Sequence, residues 1–189
     1  MTTAPGAMIR WTVYSAVVLV LSGSFALASP FVSGRSSVPV RTCASSVYGV
    51  LEKNWRRNPG TVVAGPVAFP NVFAQSASEP ASTFAPLGGQ YEGQKVLLVV
   101  AARTTVRLVI PPRDRLRLRL LYDPHSWDPS GRYRLAAGNV ATIFHSCSDE
   151  TQFNGGFIVA GPQCAHVLVY VARRRQPFAA RLPFGRKCD

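Results

Sequence analysis

The chain has 189 residues, of which 47% are hydrophobic and 16% charged, and 21 Lys+Arg against 9 Asp+Glu give a formal charge of +12. That length suits one domain, or one domain plus a terminal segment, and suffices to bury roughly two thirds of the unfolded surface without metal or cysteine cross-links. Low charge and abundant apolar residues exclude wholesale disorder, and 15 Gly with 15 Pro exclude a coiled coil or a long helical bundle.

Arginine carries nearly all of the positive charge, since Lys53, Lys95 and Lys187 are the only lysines. A GC-rich genome produces such a bias through codon usage. Its physical consequence is a salt-dependent affinity for polyanions: nucleic acid, anionic lipid headgroups or phosphate-bearing wall polymers.

The long apolar run comes first. Arg10 precedes an apolar stretch from Trp11 to Leu21, small residues follow, and Ala26, Leu27 and Ala28 suit cleavage before Ser29, the pattern of an export signal. Trp11 to Val32 also reaches the roughly 20 residues that span a bilayer, so an uncleaved anchor extending to about residue 33 is the alternative. Either way the remainder is secreted or held at the extracytoplasmic face. Residues 1–28 are therefore read as signal peptide or membrane anchor, 29–42 as a Pro/Ser/Gly-rich linker, and 43–189 as the exported domain.

Cys43, Cys147, Cys164 and Cys188 all lie beyond the targeting segment, as expected of disulfides formed in an oxidising compartment. Three connectivities are open. The preferred one pairs Cys147 with Cys164 and Cys43 with Cys188, the second bond tying the ends of the domain together. A simple meander places Cys147 and Cys164 at opposite ends of the sheet and favours Cys164 with Cys188.

Past the linker, VYGVLEKNWRRN (47–58) passes as a short helix ended by Pro59. Strand-sized runs rich in β-branched and aromatic residues follow: 61–69, 95–102, 104–110, 115–122, 132–136, 140–147, 155–161, 165–172 and 178–184, each bounded by Gly, Pro, Asn or Asp. A breaker-rich stretch separates the first from the rest at 75–94. Nine strands without helical period predict an all-β, antiparallel sandwich, immunoglobulin-like or jelly-roll-like. In RLRLRLLY, alternation sends Arg115, Arg117 and Arg119 to one face and Leu116, Leu118 and Leu120 to the core. KVLLVV, apolar on both faces, predicts a central strand. Val63-Ala64-Gly65-Pro66 and Val159-Ala160-Gly161-Pro162 read as two similar strand exits.

Several elements carry a resemblance: Phe144 to Cys147, Thr151 to Gly156 with Phe157, the Gly161-Pro162-x-Cys164 turn, and Leu182 to Gly185 before Cys188. WRRNPGTVVAGPVAF and LLYDPHSW add to it. Over most of residues 43–188 the chain resembles a group of uncharacterised exported or membrane-anchored proteins of high-GC Gram-positive bacteria. The resemblance implies export, a β-rich domain and disulfides, and it transfers no catalytic residue.

Candidate sites follow from residue type. Arg115, Arg117 and Arg119 at alternate positions stand roughly 7 Å apart along a strand, a spacing that meets successive phosphates or carboxylates, and Arg173, Arg174 and Arg175 form a second cluster in a turn. The bland reading of the stripe is the solvated face of a strand. Asp123, Trp127 and Asp128, in one loop with His125 and Ser126, suit glycan binding on Trp127, although two Asp-Pro steps also suit a plain turn. His145-Ser146-Cys147 mirrors Cys164-Ala165-His166. Were the two segments antiparallel neighbours, His145 and His166 would face each other and compose a Cys2His2 zinc set. FNGG (153–156) reads as a hairpin turn.

The expected function is a non-enzymatic binding or structural domain of the cell envelope, with no cofactor, whose partner is an anionic wall polymer or lipid surface rather than nucleic acid. The alternative is a secreted hydrolase or metal-binding domain built on the 122–133 loop or on His145 and His166.

Overall fold

A computed structural model describes residues 38–49, 51, 54–72 and 77–188. The targeting segment and most of the linker lie outside the described residues. No helix among the described residues is long and apolar enough to cross a membrane. The described domain is all-β, as its pattern predicts.

Its strands are β1 (Val40–Arg41), β2 (Val62–Ala64), β3 (Val67–Phe69), β4 (Tyr91–Lys95), β5 (Leu98–Val100), β6 (Thr105–Val109) and β7 (Leu118–Leu120). They continue with β8 (Arg132–Tyr133), β9 (Ala141–His145), β10 (Thr151–Phe153), β11 (Gly156–Val159), β12 (Gln163–Val171) and β13 (Phe178–Phe184). Three sheets result, ordered β1-β9-β6-β12-β13, β10-β5-β3-β2 and β7-β11-β4-β8. All pairings are antiparallel except β1 with β9, which is parallel.

The second and third sheets are continuous. β4 runs into β5 and β10 into β11, and the two ribbons pair throughout in one register, with Phe153 opposite Leu98 and Gly156 opposite Lys95. Between these pairs the Val96 N–H still donates to the Gly155 carbonyl at 3.0 Å. The ladder is therefore a single ribbon bent at Val96–Leu97 and Asn154–Gly155. Glycine is required at that bend: a Cβ on Gly155 would lie 2.2 Å from the Tyr122 ring, and one on Gly156 1.8 Å from the Gln94 carbonyl oxygen. FNGG is thus the step from one sheet to the next, not the hairpin turn expected of it.

Apolar side chains of all three sheets meet in one core, with Phe69, Phe144, Phe153, Phe157, Phe184 and Tyr122 fully buried. Val96 and Leu98–Val100 are buried and β5 is central in its sheet, as KVLLVV predicts. Strand β12 alternates buried and partly exposed residues along most of its length, so one face serves the core. The first predicted strand is instead a hairpin, β2 and β3, around Gly65 at φ 61°. The second VAGP also leaves its strand through a left-handed glycine, Gly161 at φ 79°. No helix forms over the described part of 47–58: Val47 bridges to Gln152, and a 3-10 turn spans Trp55–Arg57.

The disulfides are Cys43–Cys147 and Cys164–Cys188, each with Cα atoms 5.1 Å apart. Pairing Cys147 with Cys164 fails because β6 lies between β9 and β12, and the two cysteines sit at opposite ends of that sheet. The first bond spans 104 residues and the second 24. On loop entropy alone, removing them costs about 4.7 and about 3.4 kcal/mol respectively. Non-reducing peptide mapping should return these two pairs. In denaturant titrations the Cys43→Ser/Cys147→Ser protein should then be less stable than Cys164→Ser/Cys188→Ser, and the reverse order would contradict the loop-length account.

Candidate functional site

The arginine stripe of 115–119 is not a stripe. Residues 112–114 form a 3-10 turn, 115–117 continue as turn, and the strand begins only at Leu118. Pro111 and Pro112 cause this, since neither offers an N–H to a ladder and Pro fixes a φ suited to turns. Leu116 is consequently 83% exposed instead of buried.

The guanidiniums there point to backbone rather than outward in a row. Arg115 Nε donates to the Ile110 carbonyl at 3.1 Å, and Arg117 donates to the carbonyls of Ala160 and Pro162 at 3.1 and 3.2 Å. Arg119 donates to the carbonyls of Arg115 and Leu118, and its pKa is lowered by burial first and by the neighbouring Arg115 second. These three side chains close the 110–120 turn and fasten it to the exit of β11.

Other arginines do face outward. Arg173, Arg174 and Arg175 occupy the exposed β12–β13 connection, with Arg173 in the left-handed region at φ 65°. Arg174 lies 3.8 Å over the Phe178 ring and donates to the Gln176 carbonyl, which fixes it in place. On the outer face of the five-stranded sheet, Arg107 is exposed between buried Val106 and Leu108, and Arg181 between buried Ala180 and Leu182. In register, Val40, Ile143, Arg107 and Tyr170 form one row across β1, β9, β6 and β12. Among the described residues, the ion pairs join Arg56 to Glu150 and Arg113 to Asp114, and the other carboxylate contact is from His166 to Asp114, so these five arginines have no carboxylate partner there. Alternation in TTVRLVI and FAARLPF carried a signal for Arg107 and Arg181, but each is a lone charge in its run.

The histidines do not assemble. β6 separates β9 from β12, so His145 and His166 are not opposite one another. His145 faces Thr105, its Nδ1 2.9 Å from the hydroxyl, whereas His166 lies past the Leu168–Val109 pair, roughly 20 Å further along the sheet. His166 Nδ1 instead sits 3.4 Å from Asp114 Oδ2. His125 is exposed in the Pro124–Ser126 turn. With both disulfides formed, the Cys2His2 zinc set and the His145/His166 alternative lose their geometry. No group of three or more His, Cys, Asp or Glu suited to a metal occurs among the described residues.

In the 122–133 loop the carboxylates serve the loop itself. Asp123 accepts from the His125 N–H at 3.0 Å, and Asp128 accepts from the Ser130 hydroxyl and N–H, which hold its pKa below the usual carboxylate value. Trp127 is 41% exposed. It borders a hollow of about 40 Å³ with Leu121 and Tyr133.

Beside that hollow is a larger groove of about 580 Å³, which sequence reading gave no reason to expect. Strand β4, the bend at Asn154–Gly155, Pro70, Asn71 and Glu79 line it. Among the described residues its lining includes Glu79, Glu92 and Lys95 but no arginine. The groove and the Trp127 hollow share Gly93, Gln94, Lys95 and Gly155. YEGQK has neither β-branched residues nor clean alternation, and nearly all of it lies within the breaker-rich stretch 75–94, so the sequence carries no signal for β4.

Compared with protein-family models, curated proteins and solved structures, the chain matches none.

Leu116 and Leu118 test the turn directly. Leu116→Ser should change unfolding free energy by less than about 0.5 kcal/mol, whereas Leu118→Ala should cost about 3 kcal/mol in the same denaturant titration. Similar losses at both positions would restore the regular strand.

Proposed function

We propose that this chain is an exported cell-envelope protein, secreted or anchored by its N-terminal segment, whose β-sandwich domain is a non-enzymatic module that binds an anionic wall polymer or anionic lipid surface. The sandwich reading is supported by the register that continues from the second sheet into the third and by the apolar core that all three sheets share. Export is supported by the order of apolar run, small residues and Ala26-Leu27-Ala28 in the sequence, and by the pairing of all four cysteines. The likeness to exported proteins of high-GC Gram-positive bacteria points the same way.

The observation that carries the binding reading is the set of five exposed arginines, Arg107, Arg181 and Arg173 to Arg175, on one sheet and its terminal hairpin without a carboxylate partner among the described residues. Arg174 gives its Nε to the Gln176 carbonyl and keeps its terminal nitrogens, and the other four guanidiniums have no hydrogen-bond partner among the described residues, which leaves them able to pair with phosphate or carboxylate. Arg115, Arg117 and Arg119 contribute charge to the field but are tied to carbonyls.

Binding to phosphatidylglycerol vesicles and to poly(glycerol phosphate), followed by co-sedimentation, should weaken at least about tenfold between about 20 and 200 mM NaCl. Replacing Arg173, Arg174 and Arg175 by Gln should lower the low-salt affinity by a similar factor, and Arg107→Gln/Arg181→Gln should lower it further. Binding that ignores salt, or that survives both sets of substitutions, would contradict the reading.

A further inference from the structure

The 580 Å³ groove differs in character from the rest of this molecule. The chain carries more than twice as many basic residues as acidic ones, with 21 against 9, yet among the described residues the groove is lined by two carboxylates and one ammonium and by no guanidinium. Arg132 stands opposite Glu92 in the β4–β8 register but does not line it. A polyanion therefore meets carboxylates in the groove and guanidiniums elsewhere, so the groove and the arginine surface select different ligands.

The groove's walls offer hydroxyl-binding chemistry. Glu79 already accepts from the Thr83 hydroxyl at 3.2 Å, Asn71 Oδ1 from the Asn58 amide at 3.0 Å, and Gln94 Nε2 donates to the Glu92 carbonyl at 3.4 Å. This leaves the Glu92 carboxylate, the Gln94 amide oxygen and the Asn154 amide as acceptors and donors that match vicinal hydroxyls, each of which also donates and accepts. Trp127, beside the same β4 residues, presents an indole for the apolar face of a sugar ring. The volume falls within the roughly 300–1,000 Å³ of ordinary ligand sites.

The floor is rigid. Gly93 lies against Tyr133 and Leu121, where a Cβ would meet the Tyr133 ring at 2.7 Å, and Gly155 lies against Tyr122. Arg41 holds the Asn154 carbonyl at 3.2 Å. A site fixed in this way loses little conformational entropy on binding.

We infer that this groove binds a short stretch of uncharged glycan, with Trp127 stacking on one sugar ring and Glu92, Gln94 and Asn154 bonding to hydroxyls. Asp123 and Asp128, engaged within their own loop, take no part.

Isothermal titration of the full chain with cellohexaose, chitohexaose and mannohexaose tests this, the three distinguishing plain glucose, N-acetylated and mannose-type sources. At least one should bind with a Kd of about 1 mM or tighter. That affinity should change less than about twofold between about 20 and 500 mM NaCl, unlike polyanion binding. Trp127→Ala and Glu92→Gln should each weaken it about tenfold while the thermal midpoint stays within about 3 °C. The Arg173→Gln/Arg174→Gln/Arg175→Gln protein, which lacks the proposed polyanion contacts, should bind sugar as the parent does, so each proposal can fail separately. No binding of any hexasaccharide at about 5 mM would overturn the inference. So would affinity insensitive to Trp127→Ala and Glu92→Gln together, or tighter binding of spermidine than of any sugar, which would make the groove a cation site.

Discussion

A buried guanidinium holds the three sheets to one another. Arg41, 5% exposed, leaves edge strand β1 of the five-stranded sheet and enters the core. It donates to the carbonyl of Tyr122, just past β7 of the third sheet, and to that of Asn154, at the step between the second and third. Its Nε and second terminal nitrogen reach the hydroxyl and carbonyl of Ser45 at 2.9 and 2.6 Å. Phe153 of the second sheet lies under it, 5.7 Å from ring centroid to guanidinium carbon. Burial lowers the pKa of Arg41, while the charge of nearby Asp123 opposes that shift. A buried charge is costly unless its hydrogen bonds are made, and only a planar fork makes this many at once.

Tyr122 completes the junction. Burial pushes its hydroxyl pKa well up, so it stays protonated and donates to the Val96 carbonyl at 2.8 Å, at the bend of the ladder. Its ring meets Phe144 of the first sheet and Phe157 of the third edge-on, with centroids 5.5 and 5.8 Å away. The absence of a Cβ at Gly155 makes room for that ring. Both proposed surfaces inherit this arrangement: the bend lines the groove, and the five-stranded sheet carries Arg107 and Arg181.

Strands of strong pattern were legible in the sequence and weakly patterned ones were not. β6, β9, β12 and β13 coincide with runs of alternating or β-branched residues, because one face of each serves the core and the other faces outward. RLRLRLLY has the most regular alternation in the chain, yet its first half is turn. The prolines before it and the carbonyls that Arg115 and Arg117 find outweigh local periodicity. β4 escaped notice because it earns its place by pairing with β11 and β8, a non-local fact. Arg41, read as linker, takes its role from partners as far away as Asn154. The candidate surfaces were legible to a similar degree: the Arg173–Arg175 turn and exposed Trp127 stand where composition suggested, while the groove depends on how segments distant in sequence come together.

The central claim is that Arg41 joins the sheets, and native-state hydrogen exchange on the Arg41→Met protein tests it most directly. Methionine fills the volume but leaves the Tyr122, Asn154 and Ser45 carbonyls without their donor, at a cost of about 3 kcal/mol or more. The account predicts that slow-exchanging amides of β9, β5 and β11, one strand from each sheet, lose protection together by that amount. Protection within about 0.5 kcal/mol of the parent in all three strands, or a loss confined to β1 and β9, would contradict it.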